Sequence, residues 1–196
     1  METTEFCISI VNKGDLIMKE GWIELFNGED LTGWRMRHPD KEHKWVAHDR
    51  ILENSDRGVD IITEQEFGDF ELHIEYLVPK SSNSGIYLRG QYEIQILDSL
   101  GEDLSLSSNG ALYGQKAPDV EASKPAGEWQ TVDVTLKGMT LNVKLSDQKI
   151  HDNVMIKGPT GGQLFDGNPP KGPLMLQGDH GPVMFRNIRI RELSST

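Results

Sequence analysis

Apolar and polar residues alternate with a period of two along most of this chain. Between residues 70 and 78, Phe70, Leu72, Ile74, Tyr76 and Val78 alternate with Glu71, His73, Glu75 and Leu77. Residues 22–26 alternate and run into the turn Asn27-Gly28. Residues 131–138 place Val132, Val134 and Leu136 on one face. Residues 140–152 read as strand, turn at Ser146-Asp147-Gln148, and strand. Residues 172–178 and 183–193 close the pattern. Period two predicts strands with one buried face. Short strands separated by Gly- and Pro-rich turns predict an all-β sandwich or barrel. No segment carries a helical period over a convincing length, and no repeat of 20–50 residues is visible. The expected fold is all-β, with two antiparallel sheets packed face to face. The expected organisation is an N-terminal extension over 1–20, possible as an added strand, followed by one domain over 21–196.

Residues 83–99, NSGIYLRGQYEIQILDS, stand out. They read as two strands around Gly90, with Ile86, Leu88, Ile94 and Ile96 on the core face. The other face carries Tyr87, Arg89, Glu93 and Gln95, with Asp98 just beyond. A strand pair with one whole face of ionising and hydrogen-bonding groups serves either solvent or a ligand. The irregular stretch from Leu100 to Glu128 is long for a compact domain, and such loops are often functional.

Composition narrows the ligand. The formal net charge of the 196 residues is −11. That argues against nucleic-acid phosphates, which need Lys/Arg neutralisation, and against anionic membranes; a neutral ligand such as a sugar is compatible. Cys7 is the single cysteine, so neither an intramolecular disulfide nor a multi-Cys zinc site can form. No apolar run approaches the length of a membrane-spanning helix. The apolar patch from Phe6 to Val11 is interrupted by Ser9 and follows no basic segment, unlike a signal peptide. With Met1 as the native start the expected compartment is the cytoplasm; with a removed signal it is the periplasm or the exterior. A P-loop, a dinucleotide-binding glycine fingerprint and a nucleophile elbow are all missing.

Five blocks occur in order: LFNGEDLTGW (25–34), NSGIYLRGQYEIQILDS (83–99), KPAGEWQTVDVTLKG (124–138), KIHDNV (149–154) and GPLMLQGDHGPVMFRNIRIREL (172–193). Together they resemble the 3-keto-disaccharide hydrolase family over roughly residues 21 to 193. The resemblance implies a concanavalin A-like jelly roll of the lectin and glucanase type. It also implies a carbohydrate substrate, a glycoside whose C3 hydroxyl a partner oxidoreductase has oxidised to a ketone. Members of that family usually begin with an export signal, whereas this chain opens METTEFCISIVNKGDLIMKE.

A 3-keto sugar has an acidified C2 proton. Its removal gives an enolate that expels the C1 substituent, after which water adds back. This chemistry needs a base near C2, a positive charge or a metal near the ketone oxygen and a proton donor at the leaving oxygen. Glu93 is a candidate base or ligand of a divalent cation, and Arg89 a candidate oxyanion partner. His180, in the Gly-flanked turn of LQGDHG, is a second candidate base or metal ligand. Gln95 and Gln177 suit sugar hydroxyls, since an amide both donates and accepts. Tyr87 and Tyr113 are candidates for stacking on a sugar ring. Arg186 is a second oxyanion candidate or a surface charge.

Strict alternation turns Asp98 inward, and a bulge after Gln95 would bring it to the polar face. Glu93-x-Gln95-x-x-Asp98 would then look like the E-x-D-x-x-E strand of jelly-roll endoglucanases. This leaves two rival readings: a conventional glycoside hydrolase using Glu93 and Asp98, and a lectin-like module without turnover. Trp34 and Trp129 are expected to pack in the core, and His38, His43 and His48 to lie on the surface. His73 belongs either to the outer surface or to the ligand face.

Overall fold

A computed structural model describes residues 21–194; Cys7 and the expected extension over 1–20 lie outside the described residues. Thirteen strands form two antiparallel sheets. They are β1 (Ile23–Glu24), β2 (Trp34–Met36), β3 (Trp45–His48), β4 (Ile51–Asn54), β5 (Ile61–Phe67), β6 (Phe70–Leu77), β7 (Asn83–Leu88), β8 (Tyr92–Leu97), β9 (Gln130–Lys137), β10 (Thr140–Leu145), β11 (Gln148–Met155), β12 (Gly172–Leu176) and β13 (Val183–Glu192). The larger sheet has the order β11-β10-β9-β6-β13-β4-β3, with β1 also pairing with β13. The smaller has the order β2-β5-β12-β7-β8. The expected two-sheet all-β sandwich is the observed fold.

The core lies between the sheets. Leu72, Ile74, Tyr76, Val132, Val134 and Leu136 point inward from the large sheet to meet Ile86, Leu88, Ile94 and Ile96 from the small one. Trp45 stacks on Phe185 within this layer, ring centroids 6.1 Å apart. The alternating segments of the sequence become β6, β9, β10 and β13 with small shifts at their ends. Strands β2 to β5 have no such signal. In β5, Ile61, Ile62 and Thr63 are all buried, because both faces of that strand are covered, and a strand covered on both faces loses its alternation. Strand β3 ends at His48, one of the three histidines expected on the surface, and His48 is exposed there.

Turn chemistry explains two of the hairpins. Ser146 and Asp147 both take positive φ, the backbone of a two-residue hairpin between Leu145 and Gln148, where the sequence predicted a turn. At the end of β7, Arg89 (φ 52°) and Gly90 (φ 63°) do the same. Alternation therefore stops at Leu88, which decides where the Arg89 side chain goes.

The long loop after β8 is ordered by one buried amide. Asn109 Oδ1 accepts from the Tyr76 hydroxyl (2.8 Å) and the Leu97 amide (3.2 Å), while its Nδ2 donates to Ser123 and Gln130. Held this way, residues 110–113 run beside β8. Gly110 N–H donates to Gln95 O, Gln95 N–H to Ala111 O, and Tyr113 N–H to Glu93 O. Ile94 bridges Leu112 in antiparallel register, so the loop adds a short edge to the small sheet.

Candidate functional site

The outer face of the small sheet carries a cavity of about 230 Å³, and its floor can be read strand by strand. Tyr87 pairs with Met175 on one side and Glu93 on the other, and Tyr113 lies beyond Glu93. This row reads Met175, Tyr87, Glu93, Tyr113. One pleat along, Gly85 pairs with Gln95, the Gln177 amide donates to Gly85 O, and the Gln95 amide donates to Ala111 O. That row reads Gln177, Gly85, Gln95, Ala111. The rim is built from Arg37, Asp60, Asn83, Gly161-Gly162 and Asp179-His180. Period two puts all the floor residues on one face; their convergence comes from pairing between distant segments.

Glu93 is the centre of this arrangement and is only 4% exposed. Its Oε2 accepts a hydrogen bond from the Tyr87 hydroxyl at 2.9 Å. Gln177 Nε2 in turn donates to the Tyr87 oxygen at 3.5 Å. Burial raises the Glu93 pKa to about 7; nearby Asp179 and Asp60 also raise it, while the Tyr87 bond and His180 work in the other direction. Burial, with the neighbouring Glu93 carboxylate, also pushes the Tyr87 phenol up, so Tyr87 stays a donor.

His180 Nδ1 is paired with Asp179 Oδ1, and among the described residues Nε2 has no such partner, which leaves it as the ring nitrogen open to a ligand. Arg37 is the guanidinium of the cavity. It donates to Asp60 Oδ2 (3.0 Å), Gly162 O (2.9 Å) and Gln163 O (2.8 Å), and so joins the chain after β2 to the 161–163 segment. Asp60 is also bonded by the Gly178 amide at 2.9 Å. Three buried amide oxygens of the cavity, on Asn83, Gln95 and Gln177, have no hydrogen-bond partner among the described residues. Buried acceptors without partners are costly, so these three are placed to accept hydrogen bonds from a bound ligand or water.

The structure brings together six residues singled out from sequence: Glu93, His180, Tyr87, Gln95, Gln177 and Tyr113. It places three others elsewhere. Arg89 is buried at the end of the β7–β8 hairpin, where it donates to Gly68 O, Gly138 O and Asp69 Oδ1, each at 2.9 Å. Its left-handed backbone ends the alternation that had grouped it with Tyr87.

Asp98 lies just past β8. The β7–β8 register runs unbroken from Asn83↔Leu97 to Leu88↔Tyr92, so there is no bulge to turn Asp98 outward, and its carboxylate accepts from the Ser81 amide at 2.8 Å. Arg186 sits on the outer face of the large sheet. It bonds Glu75 (2.7 Å) and covers the half-buried Trp129 ring at 4.0 Å, so Trp129 packs there rather than in the core. His73 is on that same outer face, bonded to Asp133 at 2.7 Å.

Sequence reasoning missed Arg37, Asp60 and Asn83. Arg37 and Asp60 lie in no readable motif, and only ladder pairing brings them beside Gln177, whereas Asn83 opens the 83–99 stretch without having been singled out. Among the described residues, no three His, Cys, Asp or Glu side chains converge as a metal set. Glu93 and His180, the metal candidates, do share the cavity. With no third such side chain converging on these two, the described residues do not assemble the donor set of a resident divalent ion.

The sequence profile of the 3-keto-alpha-glucoside-1,2-lyase-like domain matches residues 21–191. The chain is 26% identical to a 3-keto-disaccharide hydrolase of Bacteroides thetaiotaomicron over an alignment of 231 residues, covering 89% of this chain and 79% of that protein. It is 32% identical to a Parabacteroides distasonis protein of known structure, assigned provisionally as a glycosyl hydrolase. That match covers 89% of this chain and 84% of the other, with a TM-score of 0.73. A Bacillus licheniformis β-glucanase, 14% identical, shares the fold with a TM-score of 0.56 over 90% of this chain and 100% of its own. The sandwich is thus of the concanavalin-like glucanase type.

Proposed function

Because this chain belongs to the family of 3-keto-alpha-glucoside-1,2-lyase-like domains, we propose that it cleaves the glycosidic bond of 3-keto-glycosides by elimination and hydration. The observation that carries this reading is one small polar cavity holding both a desolvated carboxyl, Glu93, and a carboxylate-oriented imidazole, His180. The volume of about 230 Å³ is below the roughly 300 Å³ at which drug-sized pockets begin. Room for a single ring suits a short glycoside better than a polymer strand.

In the proposed reaction His180 Nε2 takes the C2 proton, and the electron pair passes into the enolate at C3. Arg37 faces the oxygen on which that charge develops. The C1–O bond then breaks as Glu93, held neutral by its surroundings, gives its proton to the leaving oxygen. Water adds to C1 and returns a proton to Glu93, and C2 regains its proton from His180. The sugar hydroxyls donate to the unpartnered oxygens of Asn83, Gln95 and Gln177. The substrate is supplied by an oxidoreductase that oxidises C3 of a glycoside. The rival acid pair loses support, because Asp98 does not line the cavity with Glu93.

The test is product analysis on a glucoside and its 3-keto derivative, each with and without chelator, in D2O. Cleavage of the keto form alone, with deuterium at C2 of the released sugar and no effect of chelator, is the expected result. Cleavage of the plain glucoside would overturn it; cleavage of the keto form without deuterium would leave direct hydrolysis. Binding of either sugar without turnover would make this a lectin-like module.

Tyr113, 38% exposed beside Glu93, is the aromatic surface open to substrate. Tyr113→Ala is expected to raise KM about fivefold with kcat little changed, the loss of one ring contact of about 1 kcal/mol. Steady-state kinetics on the 3-keto substrate checks it.

A further inference from the structure

We propose that Gly85 is a positioning residue for Glu93: the Cβ it lacks is the space in which the Glu93 carboxyl is held. A Cβ built on Gly85 would lie 2.4 Å from Glu93 Oε1, 3.0 Å from its Cγ and 3.1 Å from its carboxyl carbon. No real Cβ approaches an oxygen so closely. The carboxyl therefore folds back over β7 and rests on bare backbone, with Oε2 turned to Tyr87 and Oε1 over Gly85.

The glycine is not there for its backbone. Gly85 is in the middle of β7, paired with Gln95, and is not among the glycines with positive φ. Alanine fits that backbone without strain, and glycine in a strand interior is otherwise a cost. A glycine at a strand centre often marks close approach of another group, and here the group is the carboxyl at the middle of the cavity.

The niche governs how Glu93 titrates, because it keeps one side of the carboxyl off water. The other ionisable groups around the cavity are Tyr87 on β7, Tyr113 on the added edge, Asp60 before β5, Asp179 and His180 after β12, and Arg37 after β2. Tyr87 is bonded to Glu93, and the three atoms nearest the added methyl's position over Gly85 all belong to Glu93. A methyl at position 85 thus acts on Glu93 and leaves its charged surroundings in place. The cavity role of Glu93 rests on the proposed function, but its titration does not.

The test is a carbon-13 NMR titration of the Glu93 carboxyl, assigned by its loss in E93Q, in wild type and in Gly85→Ala. The wild-type midpoint is expected near 7, falling by a unit or more in Gly85→Ala as the carboxyl is pushed toward water. An unchanged or raised midpoint would overturn the proposal. A thermal-stability cycle covers the case in which Gly85→Ala folds poorly. Gly85→Ala should lower Tm in the wild-type background and have little effect when Glu93 is already Ala; an equal loss in both backgrounds would overturn it. With the 3-keto substrate, Gly85→Ala should lower kcat tenfold or more with KM within about twofold. If E93Q keeps full turnover while the midpoint shift is seen, the catalytic reading fails and the niche stands.

Discussion

Glu93→Gln is expected to lower kcat on a 3-keto-glycoside by about a thousandfold, the usual scale for loss of a general acid, while making the protein more stable at neutral and alkaline pH. Gln keeps the volume, and its oxygen still accepts from Tyr87, so the fold is kept. What it lacks is a transferable proton. The stability gain has a definite sign. Burial raises the Glu93 pKa from its ordinary 4.5 to about 7. Between those pH values the folded protein keeps a proton that the unfolded chain has released, so stability falls as pH rises through this window. The cost is absent below about 4.5 and fully present above 7. At pH 8 it is on the order of 3 kcal/mol, and a variant that cannot ionise escapes it. Denaturation of wild type and Glu93→Gln at pH 4 and pH 8 should show similar stability at the first and a clear gain for the variant at the second. Wild-type kcat should decline above pH 7 as Glu93 loses its proton. Near-normal turnover in Glu93→Gln would remove Glu93 from the chemistry.

Arg89→Ala is expected to destabilise the fold by about 3 kcal/mol, the scale for breaking a buried, hydrogen-bonded ion pair, without removing the substrate's oxyanion partner. The guanidinium is 3% exposed and satisfies two backbone carbonyls and Asp69. Removing it strands Gly68 O and Gly138 O and leaves Asp69 without its cation, although Asp69 Oδ1 still accepts from the Gly138 amide at 2.7 Å. Urea unfolding should show a lower midpoint, while the folded fraction keeps its KM. Arg37→Ala should lower the midpoint as well, since Arg37 also satisfies two carbonyls and a buried carboxylate, but here the folded fraction should lose kcat. A normal midpoint with lost turnover in Arg89→Ala would return Arg89 to the site.

These two arginines show where local reading stops. Arg89 is two residues beyond Tyr87, and two residues along a strand means the same face. That inference is sound only while the chain stays extended, and positive φ at Arg89 and Gly90 ends it. Asp98 shows the converse: a bulge was the condition for its reaching the polar face, and the register is unbroken. Arg37 and Asp60 had no local signal, because they reach Gln177 through ladder pairing across roughly 120 to 140 positions of sequence, and pairing partners are a tertiary choice.

Tyr113 is intermediate. The sequence marked it as a stacking candidate within a long irregular stretch. Only the Asn109 hydrogen bonds and the bridge from Ile94 to Leu112 set it directly beside Glu93.

By itself, then, the sequence determined the all-β class, the inward and outward faces of its longer alternating strands, and Glu93, Gln95 and Tyr87 as one polar face, because side-chain direction in a strand follows a two-residue period. The five ordered blocks determined the family. The tertiary structure decided which strands became neighbours, which carboxyl was desolvated and which arginine reached the cavity. Those depend on sheet order, on left-handed turns and on burial by distant segments, none of which a local pattern encodes.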